Sequence, residues 1–110
     1  MINYTVYPGL KSAEVPTLIE FICKYYNITQ DQLKSRCRLK SIVNCKKALC
    51  YYIHEHLKIS CGNIELNYYN ILHIKRLNIR YHHMDFKNLL AVKDQEAVNL
   101  NQVITSFFKF

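Results

Sequence analysis

Two glycines and two prolines in 110 residues leave this chain few places for a tight turn. Sheet proteins built on tight turns draw on glycine where the backbone turns left-handed, and on proline where it must be rigid. Half of the residues are hydrophobic, enough for a core, and the scarcity of glycine and proline directs that core toward helices. One domain is expected at this length. The reading is an all-α, compact multi-helix domain over residues 16–110, preceded by a short extended arm over 1–15.

The order of elements follows from local signals. Residues 2–7 alternate apolar and polar and then meet Pro8-Gly9, which suits an extended arm ending in a turn. Pro16 opens a helix whose apolar residues, Leu18, Ile19, Ile22, Tyr25 and Tyr26, recur at helical steps. Asn27, which tolerates the left-handed conformation, ends it. Thr29-x-x-Gln32 has capping-box spacing and starts a short helix through Leu33. Ser41 is the expected N-cap of a long helix to Leu57 carrying Val43, Ala48, Leu49, Tyr52 and Ile53. Ser60 caps a short helix with Ile64 and Tyr68, Tyr69-Asn70 is the expected break, and another helix runs from Ile71 to Met84. Its expected core face is Ile74, Leu77, Tyr81 and Met84. A last helix, Gln95 to Phe108, uses Val98, Leu100, Val103, Ile104 and Phe107, and the terminal Phe107, Phe108 and Phe110 are expected to pack on the core.

Charge points to an acidic partner. The formal net charge is +7. Lys34, Arg36, Arg38, Lys40, Lys46 and Lys47 are clustered, with no acid between Asp31 and Glu55. The first four fall at every second position, so an extended segment would present them along one edge. Followed by a helix starting at Ser41, they would grip a phosphate backbone through guanidinium forks and helix N-terminal amides. A second acid-free stretch lies between Glu65 and Asp85 and carries His73, Lys75, Arg76, Arg80 and His83. A short helix, a turn and a second helix here make a helix-turn-helix candidate, whose second helix would enter the major groove. An ordinary solvated basic surface has the same composition.

Other chemistry finds little support. The five cysteines are odd in number, form no Cys-x-x-Cys and are read as reduced thiols, with Cys23, Cys45 and Cys50 as small core residues. His54 and His56 are two apart and His82 and His83 adjacent, so neither pair shares a helix face. Neither those pairs nor His83 with a distant cysteine suggests zinc, and no metal site is expected. The acids are scattered, so no catalytic residue, enzyme activity or cofactor is expected. No apolar run approaches a membrane span, and the N-terminus lacks the pattern of a signal peptide, so a cytoplasmic protein without membrane contact is expected.

The segment Tyr25-Tyr26-Asn27-Ile28-Thr29-x-x-Gln32-Leu33-x-Ser35-Arg36-x-Arg38-x-Lys40-Ser41-Ile42-Val43 resembles the start of the DNA-binding C-terminal domain of the bacterial replication initiator DnaA. The similarity covers about residues 16–108 and is best over 25–57. It implies a Trp-repressor-like fold of helix, short helix, basic loop, long helix, helix-turn-helix and final helix. It also implies that Arg36, Arg38 and Lys40 reach the DNA backbone and minor groove, and that His73 takes the place of the histidine in the family's Asp-His-Thr-Thr signature. This chain has Tyr69-Asn70-Ile71-Leu72-His73-Ile74-Lys75 where the family has Gly-Gly-Arg-Asp-His-Thr-Thr. The fold can thus be shared without recognition of the family's usual DNA box. The family's ATPase P-loop has no counterpart, since the only glycines are Gly9 and Gly62, so no nucleotide is expected.

The expected function is double-stranded DNA binding in replication or transcription control. Lys34, Arg36, Arg38, Lys40, Ser41, Lys46 and Lys47 would face the backbone and minor groove, and the residues from His73 to His83 the major groove. A replication or regulatory protein is a further expected partner. The alternative is a protein-interaction module that kept the fold and lost base readout, suggested by Ile71 and Leu72 near the helix start.

Overall fold

The computed structural model describes residues 15–35 and 39–108, the last two through their backbone alone. The expected arm over 1–15 therefore lies almost wholly outside the described residues, as do Arg36, Cys37, Arg38, Phe110 and the side chains of Phe107 and Phe108. The described residues form six α-helices and no strand: α1 (Val15–Tyr25), α2 (Gln30–Lys34), α3 (Lys40–Tyr51), α4 (Cys61–Leu72), α5 (Arg76–Ala91) and α6 (Gln95–Phe108). A π-helical turn, Tyr52–His56, extends α3. The all-α multi-helix fold is as expected.

Several boundaries follow from local chemistry. Pro16 sits in the first turn of α1, whose buried face is Val15, Leu18, Ile19, Ile22 and Cys23. At its end Asn27 turns left-handed at φ 58°, and its N–H and that of Ile28 donate to the carbonyls of Lys24 and Cys23. This pair of bonds is a Schellman closure. The capping box of α2 is formed in both directions, Gln32 N–H to Thr29 Oγ1 at 3.1 Å and Thr29 N–H to Gln32 Oε1 at 2.8 Å. Ser60 caps α4 by accepting from the Asn63 N–H at 3.2 Å. The bounds of α6 are those expected, and Asp94 caps it through the Ala97 N–H.

Three expectations are corrected. First, α3 starts at Lys40 with Leu39 at the N-cap position, so Ser41 lies inside the first turn and caps nothing. Packing sets this register, because Ile42, Cys45, Ala48 and Leu49 then share the buried side. Regular helix also stops at Tyr51, and Leu57 N–H bonds back five residues to Tyr52 O at 3.2 Å. The wider turn admits Tyr52, Ile53 and Leu57 to the core together.

Second, the chain does not break at Tyr69-Asn70. α4 continues to Leu72, and the break is His73-Ile74-Lys75, with His73 left-handed at φ 52°. Leu72 and Ile74 are both buried, and a reversal at the residue between them satisfies both.

Third, α5 is rotated from the expected orientation. Ile74 is buried, but in the turn, while Leu77, Tyr81 and Met84 are 60, 57 and 48% exposed. The buried face is instead Ile79 and Phe86, two turns apart. Phe86 packs against Tyr51 and Tyr52 of the α3 segment, with ring centroids 5.2 and 5.6 Å away.

The helices share one apolar core, which includes the buried Cys23, Cys45 and Cys50, as expected. α3 lies against α1, α2 and α5, and α2 also packs on α4. Tyr52 O–H donates to Asn101 Oδ1 at 2.9 Å and ties α6 to the centre. No helix among the described residues is long and apolar enough to cross a membrane.

Among the described residues four adopt positive φ, and none is glycine: Asn27, Lys58, His73 and Lys93. Each lies just beyond a helical segment. Lys93 is exposed, and its N–H and that of Asp94 close α5 onto Leu90 O and Leu89 O. A β-carbon in this conformation costs roughly 1–2 kcal/mol, part of which glycine returns through its freer unfolded chain. Lys93→Gly is expected to stabilise the fold by roughly 0.5–1 kcal/mol and raise Tm by a few degrees in thermal unfolding. Asn27→Gly should gain less, because asparagine already tolerates this conformation.

Candidate nucleic-acid interface

The helix-turn-helix candidate is α4, the three-residue turn His73–Lys75, and α5. His73 closes α4, donating its N–H to Tyr69 O at 2.8 Å, and its exposed ring stacks on Tyr69 at 5.1 Å. Lys75 occupies the N-cap position of α5 without capping it by a side-chain bond, and Arg76 is the first helical residue. Arg80 follows one turn later, and all three cations are exposed. The first amides of α5 and these cations together form an electropositive helix start.

The other basic positions divide. Lys34 ends α2 and Lys40 begins α3, both exposed, while Ser41 is half-buried. These residues flank Arg36 and Arg38, which are outside the described residues. Lys46 is turned to internal work: its Nζ donates to the Ser35 carbonyl at 3.2 Å and ties the end of α2 to α3. Lys47 approaches Asp85 Oδ2 of α5 at 3.9 Å. Because α2 packs on α4, Lys34 belongs to the same packed body as the helix pair.

His83 is half-buried and shares a cleft with Arg80. It lies in a cleft with His54 of the π turn and Cys61, the first residue of α4. One ligand-capable atom of each lies within 4.8 Å of the others. The His54 and His83 ring centroids are 4.3 Å apart, and Cys61 Sγ is 3.9 Å from His54 Nδ1. Arg76, Arg80 and Lys87 line the same cleft. Burial lowers the pKa of His83, aided by His54, Lys87 and Arg80 and opposed by Glu55. Burial pushes the Cys61 thiol up, while Arg80, a backbone hydrogen bond and Arg76 favour its thiolate. Sequence reasoning missed this grouping. The three residues are 7 and 22 positions apart in sequence and come from three elements, so no local motif announces them.

Compared with known protein families, with curated proteins and with solved structures, the chain matches none.

Proposed function

We propose that this chain binds double-stranded DNA, with α5 in the major groove and the basic segment from Lys34 to Lys40 on the backbone. The observation that carries the reading is the start of α5: Lys75, Arg76 and Arg80 exposed after a three-residue turn, with no acid between Glu65 and Asp85. Two helices joined by so short a turn have helix-turn-helix connectivity, in which N-terminal residues of the second helix meet base edges. At 16 residues α5 is about 24 Å long, enough to lie along a groove. The exposed Leu77 would suit a thymine methyl group. On this reading the chain is a cytoplasmic binder in replication or transcription control rather than an enzyme.

The test is binding to a random-sequence duplex pool followed by sequencing of the bound fraction, for the wild type, Arg76→Ala and Arg80→Ala. A base-reading arginine should cost about 1–3 kcal/mol at particular positions and relax the enriched motif there. Equal losses on every sequence would assign both arginines to phosphates. No binding at low salt would end the DNA reading.

The second reading, a protein-interaction module, now has a different motive. Leu72 is buried and Ile71 half-buried, so they offer no docking patch. Leu77, Tyr81 and Met84, at i, i+4 and i+7 on α5, form an exposed stripe that suits an apolar groove on a partner.

A further inference from the structure

We propose that His54, Cys61 and His83 form a binding site for a single zinc ion, with a fourth coordination position open to the cleft. The site shares its cleft with Arg76 and Arg80 of the proposed DNA-reading helix, but its test reads metal binding rather than DNA binding.

Distance is the first argument. Zinc held by imidazole nitrogens at about 2.0–2.1 Å and a thiolate at about 2.3 Å keeps its donors roughly 3.3–3.6 Å apart. Taking one ligand-capable atom from each residue, no separation within the set exceeds 4.8 Å. All three residues are half-buried and line a cleft rather than being locked in the core, which leaves their side chains room to rotate toward a shared ion.

Chemistry selects the ion. Two imidazoles and one thiol, with no carboxylate in the set, disfavour magnesium and calcium and suit zinc. The Ile59 carbonyl lies 3.0 Å from His54 Nδ1 and can only accept, so that nitrogen carries the proton. This leaves Nε2 as the lone-pair donor. A ligating histidine whose other nitrogen is held by a carbonyl is the usual support around bound metal.

An unmet bond is the second, independent observation. His83 Nδ1 is buried and has no hydrogen-bond partner among the described residues. Burying a polar group unpaired is costly, and a cation shared with Cys61 and His54 would relieve it. The π turn that carries His54 fits the same account, because such turns recur at functional sites. On binding, the Cys61 S–H bond breaks, a sulfur–zinc bond forms, and one proton leaves to solvent. Three protein ligands leave a fourth place for water or an anion, in a cleft lined by cations.

The experiment is titration of the metal-free full-length chain with cobalt(II) as spectroscopic probe, then displacement by zinc. One equivalent of cobalt should give tetrahedral ligand-field bands with thiolate-to-cobalt charge transfer, and zinc should abolish both. Zinc at a hundredfold excess over Kd should raise Tm by about 10 °C. Cys61→Ser should remove the charge-transfer band and His83→Asn should weaken binding at least tenfold. Cys37→Ser should leave both unchanged. Circular dichroism would verify that each variant is folded. In the wild type, zinc should slow alkylation of Cys61 at least tenfold, read by peptide mass. Absence of a cobalt signal and of any Tm shift at millimolar metal would overturn the proposal. So would binding that survives both Cys61→Ser and His83→Asn.

Discussion

Raising salt from 50 to 200 mM is expected to weaken binding of a random duplex by roughly a thousandfold, if about six cations contact phosphates. The slope arises because each phosphate neutralised by lysine or arginine releases condensed counterions, and that release is worth less as salt rises. Lys34, Lys40, Lys75, Arg76 and Arg80 are exposed, and Arg36 and Arg38 complete the set in sequence. Lys46 and Lys47 are expected to add little, because Lys46 is committed to Ser35 and Lys47 lies against Asp85. Binding isotherms by fluorescence anisotropy at four or five salt concentrations would measure the slope. A flat dependence would mean that the basic surface does not meet phosphates, and would turn attention to the apolar stripe of α5. Removing one phosphate-contacting arginine should reduce the slope by about 0.9, whereas removing one that reads bases should leave it nearly unchanged.

Phe86→Ala is expected to cost about 3–5 kcal/mol, the range for deleting a fully buried aromatic ring. The ring is 1% exposed and fills the contact between α5 and the Tyr51-Tyr52 segment. Domains of this size have total stabilities of about 5–15 kcal/mol, so the variant should be near its unfolding midpoint in mild denaturant. The informative control is Met84→Ala, two residues away, which should cost well under 1 kcal/mol because Met84 is largely exposed. Urea unfolding of both variants fixes the rotation of α5. If Met84→Ala were the more damaging of the two, the helix would be turned the other way and the arginine face with it.

That rotation marks where sequence ceased to be informative. Thr29-x-x-Gln32, Ser60, Asn27 and the span of α6 were legible because their signals are local: a side chain reaches the backbone three residues away, or one residue accepts a strained φ. The face of α5 was not. Ile74, Leu77, Tyr81 and Met84 satisfy helical periodicity as well as Ile79 and Phe86 do, and only the rings of Tyr51 and Tyr52 decide between them. The turn at His73 was placed three residues early because Asn70 reads as a breaker, although it is accommodated inside α4. The His54–Cys61–His83 cluster required knowledge of the π turn, which displaces His54 from where a regular helix would carry it.

Lys58, His73 and Lys93 reverse the chain so abruptly that successive helices are joined by only three or four residues. So little slack has a kinetic meaning. Closing such short connections costs little entropy, and chains whose contacts are mostly near neighbours reach the native state in microseconds to milliseconds. The most extensive of the contacts between helices that are not neighbours in sequence is α3 against α5, which must meet across the whole of α4. The search for that one encounter, with Phe86 finding the two tyrosines, is the slow event in the making of this molecule.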